Sequence, residues 1–160
     1  MSGTLHNLGT NYFKKGDFLK ADSLIREAQD INEAIGKLDY LLTNLSMLAH
    51  IESKLGDHEK ALTYELEVLK GYISMEYTYG IAYMYSNLSG TYADLGDYKR
   101  SFQYIDSSLA ISNEYGFNFL IWHNYLLLST NYEEKNDYKK ALEFYKMHAE
   151  FKTNSINEET

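Results

Sequence analysis

The side chains best equipped for chemistry in this chain are five histidines, sixteen tyrosines and a surplus of carboxylates. His6, His50, His58, His123 and His148 could each ligate a metal or carry a proton. A helical ligand pair needs i,i+4 spacing, and none of them stands so with another histidine or with a carboxylate. No metal centre is expected, and no cofactor. The phosphate-cradling loop G-x-x-x-x-G-K-[ST], the nucleophile elbow G-x-S-x-G and the dinucleotide fingerprint are all missing. Cysteine is missing too, which removes disulfides, thiolate zinc sites, iron–sulfur clusters and thiol nucleophiles together. The expectation is that the chain is not an enzyme and that its polar side chains recognise rather than transform.

Composition narrows what they recognise. The 15 Lys+Arg against 23 Asp+Glu leave a formal charge of −8. Phosphate binding needs a basic face that displaces counterions, so nucleic acid is not an expected partner. Nor is a membrane for this segment: a span needs ~20 apolar residues, and the most apolar run, Phe119 to Leu128, is interrupted by His123 and Asn124. The opening Met1-Ser2-Gly3-Thr4 lacks the charged-then-apolar plan of a signal peptide. A cytoplasmic place and a periplasm-facing part of a larger protein both stay open. Proline averages about 5% of residues and is absent from all 160 here. Because proline breaks helix interiors, its absence fits a chain that is helical nearly throughout.

The elements that position these residues are four copies of one unit. Gly16-Asp17, Gly56-Asp57, Gly96-Asp97 and Asn136-Asp137 recur every 40 residues without slippage. Leu8, Leu48, Leu88 and Leu128 keep the same register, as do Lys20, Lys60, Arg100 and Lys140, and the small column Ala21, Ala61, Ser101 and Ala141. Apolar steps of three and four, such as Leu45, Leu48, Ile51 and Leu55, predict a helix up to each Gly/Asn-Asp pair. The glycine or asparagine suits a left-handed helix stop, and the aspartate suits an N-cap for the next helix. Gly36 and Gly116 end the second helices of copies one and three, whereas Glu76 holds that column in copy two. The predicted helices are 2–15, 18–35, 38–55, 58–75, 78–95, 98–115, 118–135 and 138–153. Asn44-Leu45-Ser46 and Asn87-Leu88-Ser89 match the glycosylation pattern, but both fall inside packed first helices, where that pattern has no meaning.

Leu8-Gly9-x-x-Tyr12…Gly16-Asp17-Phe18…Ala21, Leu48-Ala49…Leu55-Gly56-Asp57…Ala61, Leu88-Ser89-x-x-Tyr92…Leu95-Gly96-Asp97-Tyr98…Ser101 and Tyr132…Asn136-Asp137-Tyr138…Ala141-x-x-Phe144-Tyr145 resemble the tetratricopeptide repeat over the whole chain. The usual period of that repeat is about 34 residues, while HEAT and armadillo repeats run to about 40–47; here the columns decide, and the chain is similar to the longer variants found in bacterial sensor kinases and regulators. It departs from the pattern in lacking the repeat-end proline, in Glu52 and Glu65 at packing positions, and in His148 at a small-residue position. The resemblance implies an all-α, right-handed α-α superhelix of four helical hairpins, with repeats at about 2–37, 38–77, 78–117 and 118–153 and a tail at 154–160.

It also implies that the first helices line a concave groove. The projected groove residues are His6, Asn7, Thr10 and Lys14, then Thr43, Met47, His50 and Lys54, then Tyr83, Asn87, Gly90 and Asp94, and finally His123, Leu127, Thr130 and Glu134. The last column passes from Lys14 and Lys54 to Asp94 and Glu134, a charge order that would orient an extended peptide. Only Asn87 matches the carboxylate clamp of chaperone-binding relatives, so no such clamp is expected. Tyr12, Tyr64, Tyr92, Tyr98, Tyr104, Tyr132 and Tyr138 fall in columns that pack between helices. Leu142, Tyr145 and Phe151 have no following helix to cover them, which suggests a piece of a longer protein. The expected function is a non-catalytic module that holds a protein or peptide segment, as the sensory or partner-binding region of a bacterial signalling protein. The alternative is a free-standing adaptor or assembly protein that forms a homodimer through its uncapped C-terminal helix.

Overall fold

Every second helix starts in the same way. In the computed structural model, which describes residues 1–158, the carboxylates of Asp17, Asp57, Asp97 and Asp137 accept from the amides of Lys20, Lys60, Arg100 and Lys140 at 3.0–3.2 Å. Each satisfies one of the free N–H groups of a first turn. The residues before them take left-handed backbone: Gly16 (φ 82°), Gly56 (88°), Gly96 (78°) and Asn136 (60°). Glu76 does the same at φ 53°, in the column of Gly36 and Gly116. Copy two therefore makes the glycine turn without the glycine.

The described residues form eight helices and no strand: α1 (Ser2–Lys14), α2 (Phe18–Ile35), α3 (Leu38–Leu55), α4 (His58–Ser74), α5 (Thr78–Asp94), α6 (Tyr98–Tyr115), α7 (Asn118–Glu134) and α8 (Tyr138–Glu158). The first helix of each copy except the second stops one residue earlier than predicted, and so does α4. The larger difference is α8, which runs to Glu158 instead of 153. Residues 154–158 of the predicted tail are thus helical, while 159–160 lie outside the described residues. With no glycine or proline after Asn136, nothing in the local sequence stops the helix at 153.

The chain divides into two compact units, Met1–Met75 and Glu76–Thr160. In unit 1, α1 packs on α2, α2 on α3 and α3 on α4; in unit 2 the same order joins α5 to α8. The core of unit 1 is built from Ile25, Leu42, Leu48, Ile51 and Val68, that of unit 2 from Met84, Leu88, Ile105, Leu120 and Ile121. Ala21, Ala61 and Ser101 are wholly buried and Ala141 nearly so, as close helix approach demands. A β-carbon on Gly71 would come within 2.6 Å of both Leu42 methyl carbons, so the buried Leu42 side chain packs into the space that glycine leaves on α4.

The departures from the repeat pattern have physical substitutes. Glu52 is 5% exposed, and its Oε1 accepts from Arg26 Nη2 at 2.9 Å and from Lys60. Asp22 holds Arg26 Nε at 2.8 Å from the same helix. An ion-paired bridge between the first and second hairpins thus stands where the repeat pattern has a packing residue. His148 is buried, and its Nδ1–H donates to the Trp122 carbonyl at 2.7 Å. Of the seven tyrosines expected between helices, Tyr92 is buried and five are half-buried, but Tyr138 is 63% exposed. It opens α8, which packs chiefly on α7, and its hydroxyl turns back to Asn136 Oδ1 at 2.8 Å.

Candidate functional site

The projected residues all lie on the first helices, eight of them on α1 and α3 in unit 1 and eight on α5 and α7 in unit 2. In unit 1, Asn7, Lys14, Thr43 and Lys54 are exposed, while His6, Thr10, Met47 and His50 are half-buried. His6 is already engaged: its Nδ1–H donates to Asn44 Oδ1 at 2.7 Å and ties α1 to α3. The hydroxyls of Thr10 and Thr43 donate to the carbonyls of His6 and Asp39 one turn back, at 3.0 and 2.8 Å. Burial first, and then the neighbouring Lys54 charge, push the His50 imidazolium below its ordinary pKa.

In unit 2, Tyr83, Asn87, Gly90, His123 and Leu127 are half-buried and Asp94, Thr130 and Glu134 exposed. His123 Nδ1 and Ser86 Oγ are hydrogen-bonded at 3.1 Å, joining α7 to α5 as His6 and Asn44 join α1 to α3. Burial, and then His148, lower the pKa of His123. Thr130 donates to the Leu126 carbonyl at 3.1 Å. A β-carbon added at Gly90 would meet nothing within 4 Å, so this face is open beside Asn87 and Tyr83.

Two features escaped the sequence reading. In unit 2, Tyr83 stacks on Tyr79 (centroids 6.4 Å, planes 9° apart), Tyr79 meets the ring of Phe117 edge-on at 5.0 Å, and His123 stacks on Phe119 at 5.7 Å. Tyr79 and Phe119 are exposed and extend the aromatic surface by one turn. Their position four residues before Tyr83 and His123 is the signal that could have found them. Burial, and then the nearby Tyr83 and Tyr77 hydroxyls, push the Tyr79 phenol up. In unit 1, Asn32 and Asn44 are buried in α2 and α3 and line a cavity of about 250 Å³ with His6, Asn7 and Thr43 on its walls. Asparagine in columns that periodicity reserves for apolar side chains is the signal there. Among the described residues no three histidine or acidic side chains converge to hold a metal ion, and no helix is long and apolar enough to cross a membrane.

The hairpins, their aspartate caps and their left-handed stops are the parts of one known architecture, and the sequence model of the tetratricopeptide repeat family matches residues 1–74 and 80–154. The chain belongs to the tetratricopeptide repeat family. The fold of this tetratricopeptide repeat protein is one that generally serves protein–protein interaction without catalysis. It is similar to a Rap protein solved in complex with competence and sporulation factor, at 24% identity and a TM-score of 0.83, over 94% of this chain and 42% of that one. It is also similar to BtubC (BKLC) from P. vanneervenii, at 24% identity, a TM-score of 0.78 and coverage of 94% and 61%. A third likeness is to a signal transduction ATPase with numerous domains from Pyrococcus horikoshii that carries a tetratricopeptide repeat sensor, at 19% identity, a TM-score of 0.81 and coverage of 94% and 23%. The chain therefore spans less than two thirds of each of these proteins, and the likeness is one of fold. No curated protein matches it by sequence.

Proposed function

We propose that this chain is a non-catalytic peptide-binding module whose first-helix faces hold an extended protein or peptide segment. The observation that carries this reading is the contrast along those helices. On α5, Met84, Ser86, Leu88 and Ser89 are buried, while their neighbours Tyr83, Asn87 and Gly90 are only half-buried. A face of aromatic rings, amides and imidazoles, kept open on a rigid scaffold, suits hydrogen bonding and stacking against an extended backbone. In unit 1 the first helices carry Lys14 and Lys54 in their last turns, and in unit 2 they end on Asp94 and Glu134. Cations suit helix C-termini, but Asp94 and Glu134 sit at the ends of α5 and α7, where the helix dipole disfavours them. Helix stability does not account for those two charges.

A peptide-array screen of the wild type beside His50→Ala, Tyr83→Ala and Asn87→Ala tests the reading. A retained peptide should lose at least tenfold in affinity with each change; one that ignores all three binds elsewhere. We further infer that the module is the sensory or partner-binding region of a bacterial signalling protein, a histidine kinase or a transcriptional regulator. The sensor-bearing ATPase and the Rap protein among the similar folds support this. The reading frame after Thr160 should then continue towards a kinase or DNA-binding output domain, and continuation into an unrelated structural protein would sink the idea.

One observation favours the second reading, a free-standing adaptor that dimerises. Tyr138, Leu142 and Tyr145 on α8 are 63%, 54% and 53% exposed. Light scattering of the 160-residue chain should then give twice its 18.6 kDa mass, reduced to the monomer by Leu142→Glu with Tyr145→Glu. A monomer at micromolar concentration excludes it.

A further inference from the structure

The floor of the unit 1 cavity is made of two asparagines, Asn32 near the end of α2 and Asn44 in the second turn of α3. They are 2% and 1% exposed. Asn44 Oδ1 lies 2.7 Å from His6 Nδ1 and accepts from it in the Nδ1–H tautomer, which is the one that leaves Nδ2 facing the cavity. Its Nδ2 then has no partner in the protein, and Asn32 Oδ1 has none either. Buried polar groups are almost always paired, so an orphan donor and an orphan acceptor lining one cavity need an explanation. The rim, by contrast, is accessible: Asn7, Tyr40 and Thr43 are exposed.

In unit 2 the donor of the equivalent asparagine is answered within the protein, although its Oδ1, like that of Asn32, has no protein partner. Asn124 stands two repeats after Asn44. Its Nδ2 donates to Ser108 Oγ at 2.7 Å, and the Ser108 hydroxyl donates onward to the Ala82 carbonyl at 2.8 Å. The position that corresponds to Ser108 in the first copy is Ala28, fully buried, whose methyl group cannot accept. The donor of Asn44 is thus left for a group that enters through the rim.

That group must present an acceptor to Asn44 and a donor to Asn32. A carboxylate or phosphate answers only the first, and an ammonium only the second. A neutral hydroxyl answers both from one oxygen, and an amide answers both from C=O and N–H on neighbouring atoms, so 1-propanol is the comparison that separates the two. At about 250 Å³ the cavity lies below the roughly 300–1,000 Å³ of a whole-ligand pocket and suits one side chain or one peptide link. We propose that it is an amide-recognition subsite, which takes an asparagine or glutamine carboxamide or a backbone peptide group. The assignment of a bound peptide as the source of that amide rests on the peptide-binding reading; the chemistry of the pocket does not.

The test is NMR on the ¹⁵N-labelled 160-residue protein, following the side-chain amides of Asn32 and Asn44 during titration with propanamide, N-methylacetamide, N,N-dimethylacetamide and 1-propanol. A saturable shift at millimolar concentration is expected with propanamide or N-methylacetamide, and at least tenfold weaker response to the other two. Stronger binding of propanamide identifies a side-chain carboxamide, and of N-methylacetamide a backbone group. Ala28→Ser offers Asn44 the partner that Ser108 gives Asn124, and should weaken the response at least tenfold in a folded protein; Asn32→Leu should do the same. The subsite is overturned if no shift saturates, if 1-propanol or N,N-dimethylacetamide acts equally, or if Ala28→Ser leaves the response unchanged. A peptide that depends on His50, Tyr83 and Asn87, bound while amides leave Asn44 untouched, overturns the subsite and leaves the peptide reading standing. Amides that bind while such a peptide ignores Asn32→Leu overturn only the peptide as their source.

Discussion

Glu52 and Glu76 are the two residues whose chemistry conflicts most with their positions, and the protein resolves them differently. Glu52 is buried but meets two cations. The hydrogen bond that Arg26 donates to Asp22 is the largest cause of the upward pKa shift of Arg26, and the one that Lys60 donates to Glu52 is that of Lys60. A raised Lys60 pKa means that its contribution is full below the unfolded-chain value of about 10.5 and is lost as pH climbs through the folded one. Removing one partner of a buried pair costs roughly 3–5 kcal/mol, but Arg26 is 40% exposed, and screening brings the expected loss for Arg26→Ala to about 1–2 kcal/mol. Urea unfolding measures it, and an unchanged midpoint would mean that Lys60 alone holds Glu52. Glu76 has no such help at φ 53°. A left-handed backbone costs a residue with a β-carbon about 1–2 kcal/mol, so Glu76→Gly should stabilise unit 2 by about 1 kcal/mol. A lower midpoint in that variant would show that the glutamate side chain is needed at the turn.

At the scale of elements, α7 and α5 are tied by the His123–Ser86 hydrogen bond, whose strength depends on pH. Burial lowers the pKa of His50 and His123, so both resist protonation in the folded protein. A folded pKa below the unfolded value of about 6.5 leaves stability full above that pH and erodes it as pH falls from there towards the folded pKa. Thermal midpoints should therefore drop between pH 7.5 and 5.5, and His50→Gln with His123→Gln should flatten the slope; an equal slope in the double variant assigns the effect to other groups. Helix contact also separates two glycines. Gly90→Ala in α5 meets no atom within 4 Å and should gain up to about 1 kcal/mol from helix propensity. Gly71→Ala in α4 collides with Leu42, and overpacking of about 1–3 kcal/mol outweighs the same gain. Opposite signs in parallel urea curves are the expected result.

For the whole molecule, each unit closes its own core, so the consequence of a cavity is predicted unit by unit. Leu48 is 2% exposed in the middle of unit 1, and Leu48→Ala should cost about 2–5 kcal/mol. Hydrogen exchange should report it as lost protection throughout α1–α4, because those helices share the cluster. Loss confined to α3 would mean that its neighbours do not depend on this side chain.

The hairpins were legible in the sequence because a helix stop and start are local events: Gly16-Asp17 and its three counterparts fix φ and cap an amide within four residues. The 40-residue register of leucines and small residues then carried the pairing of helices, since every copy repeats the same contacts. Periodicity reports only which face of a helix is buried, so it could not anticipate what buried polar groups meet. That Glu52 lies between Arg26 and Lys60, that His6 orients Asn44, and that Ala28 leaves its amide unanswered all depend on side chains brought together from separate helices. The projected binding face was likewise legible as helix positions. The rings of Tyr79 and Phe119 that enlarge it, and the asparagine-floored cavity beside it, were decided only when neighbouring helices set the space between them.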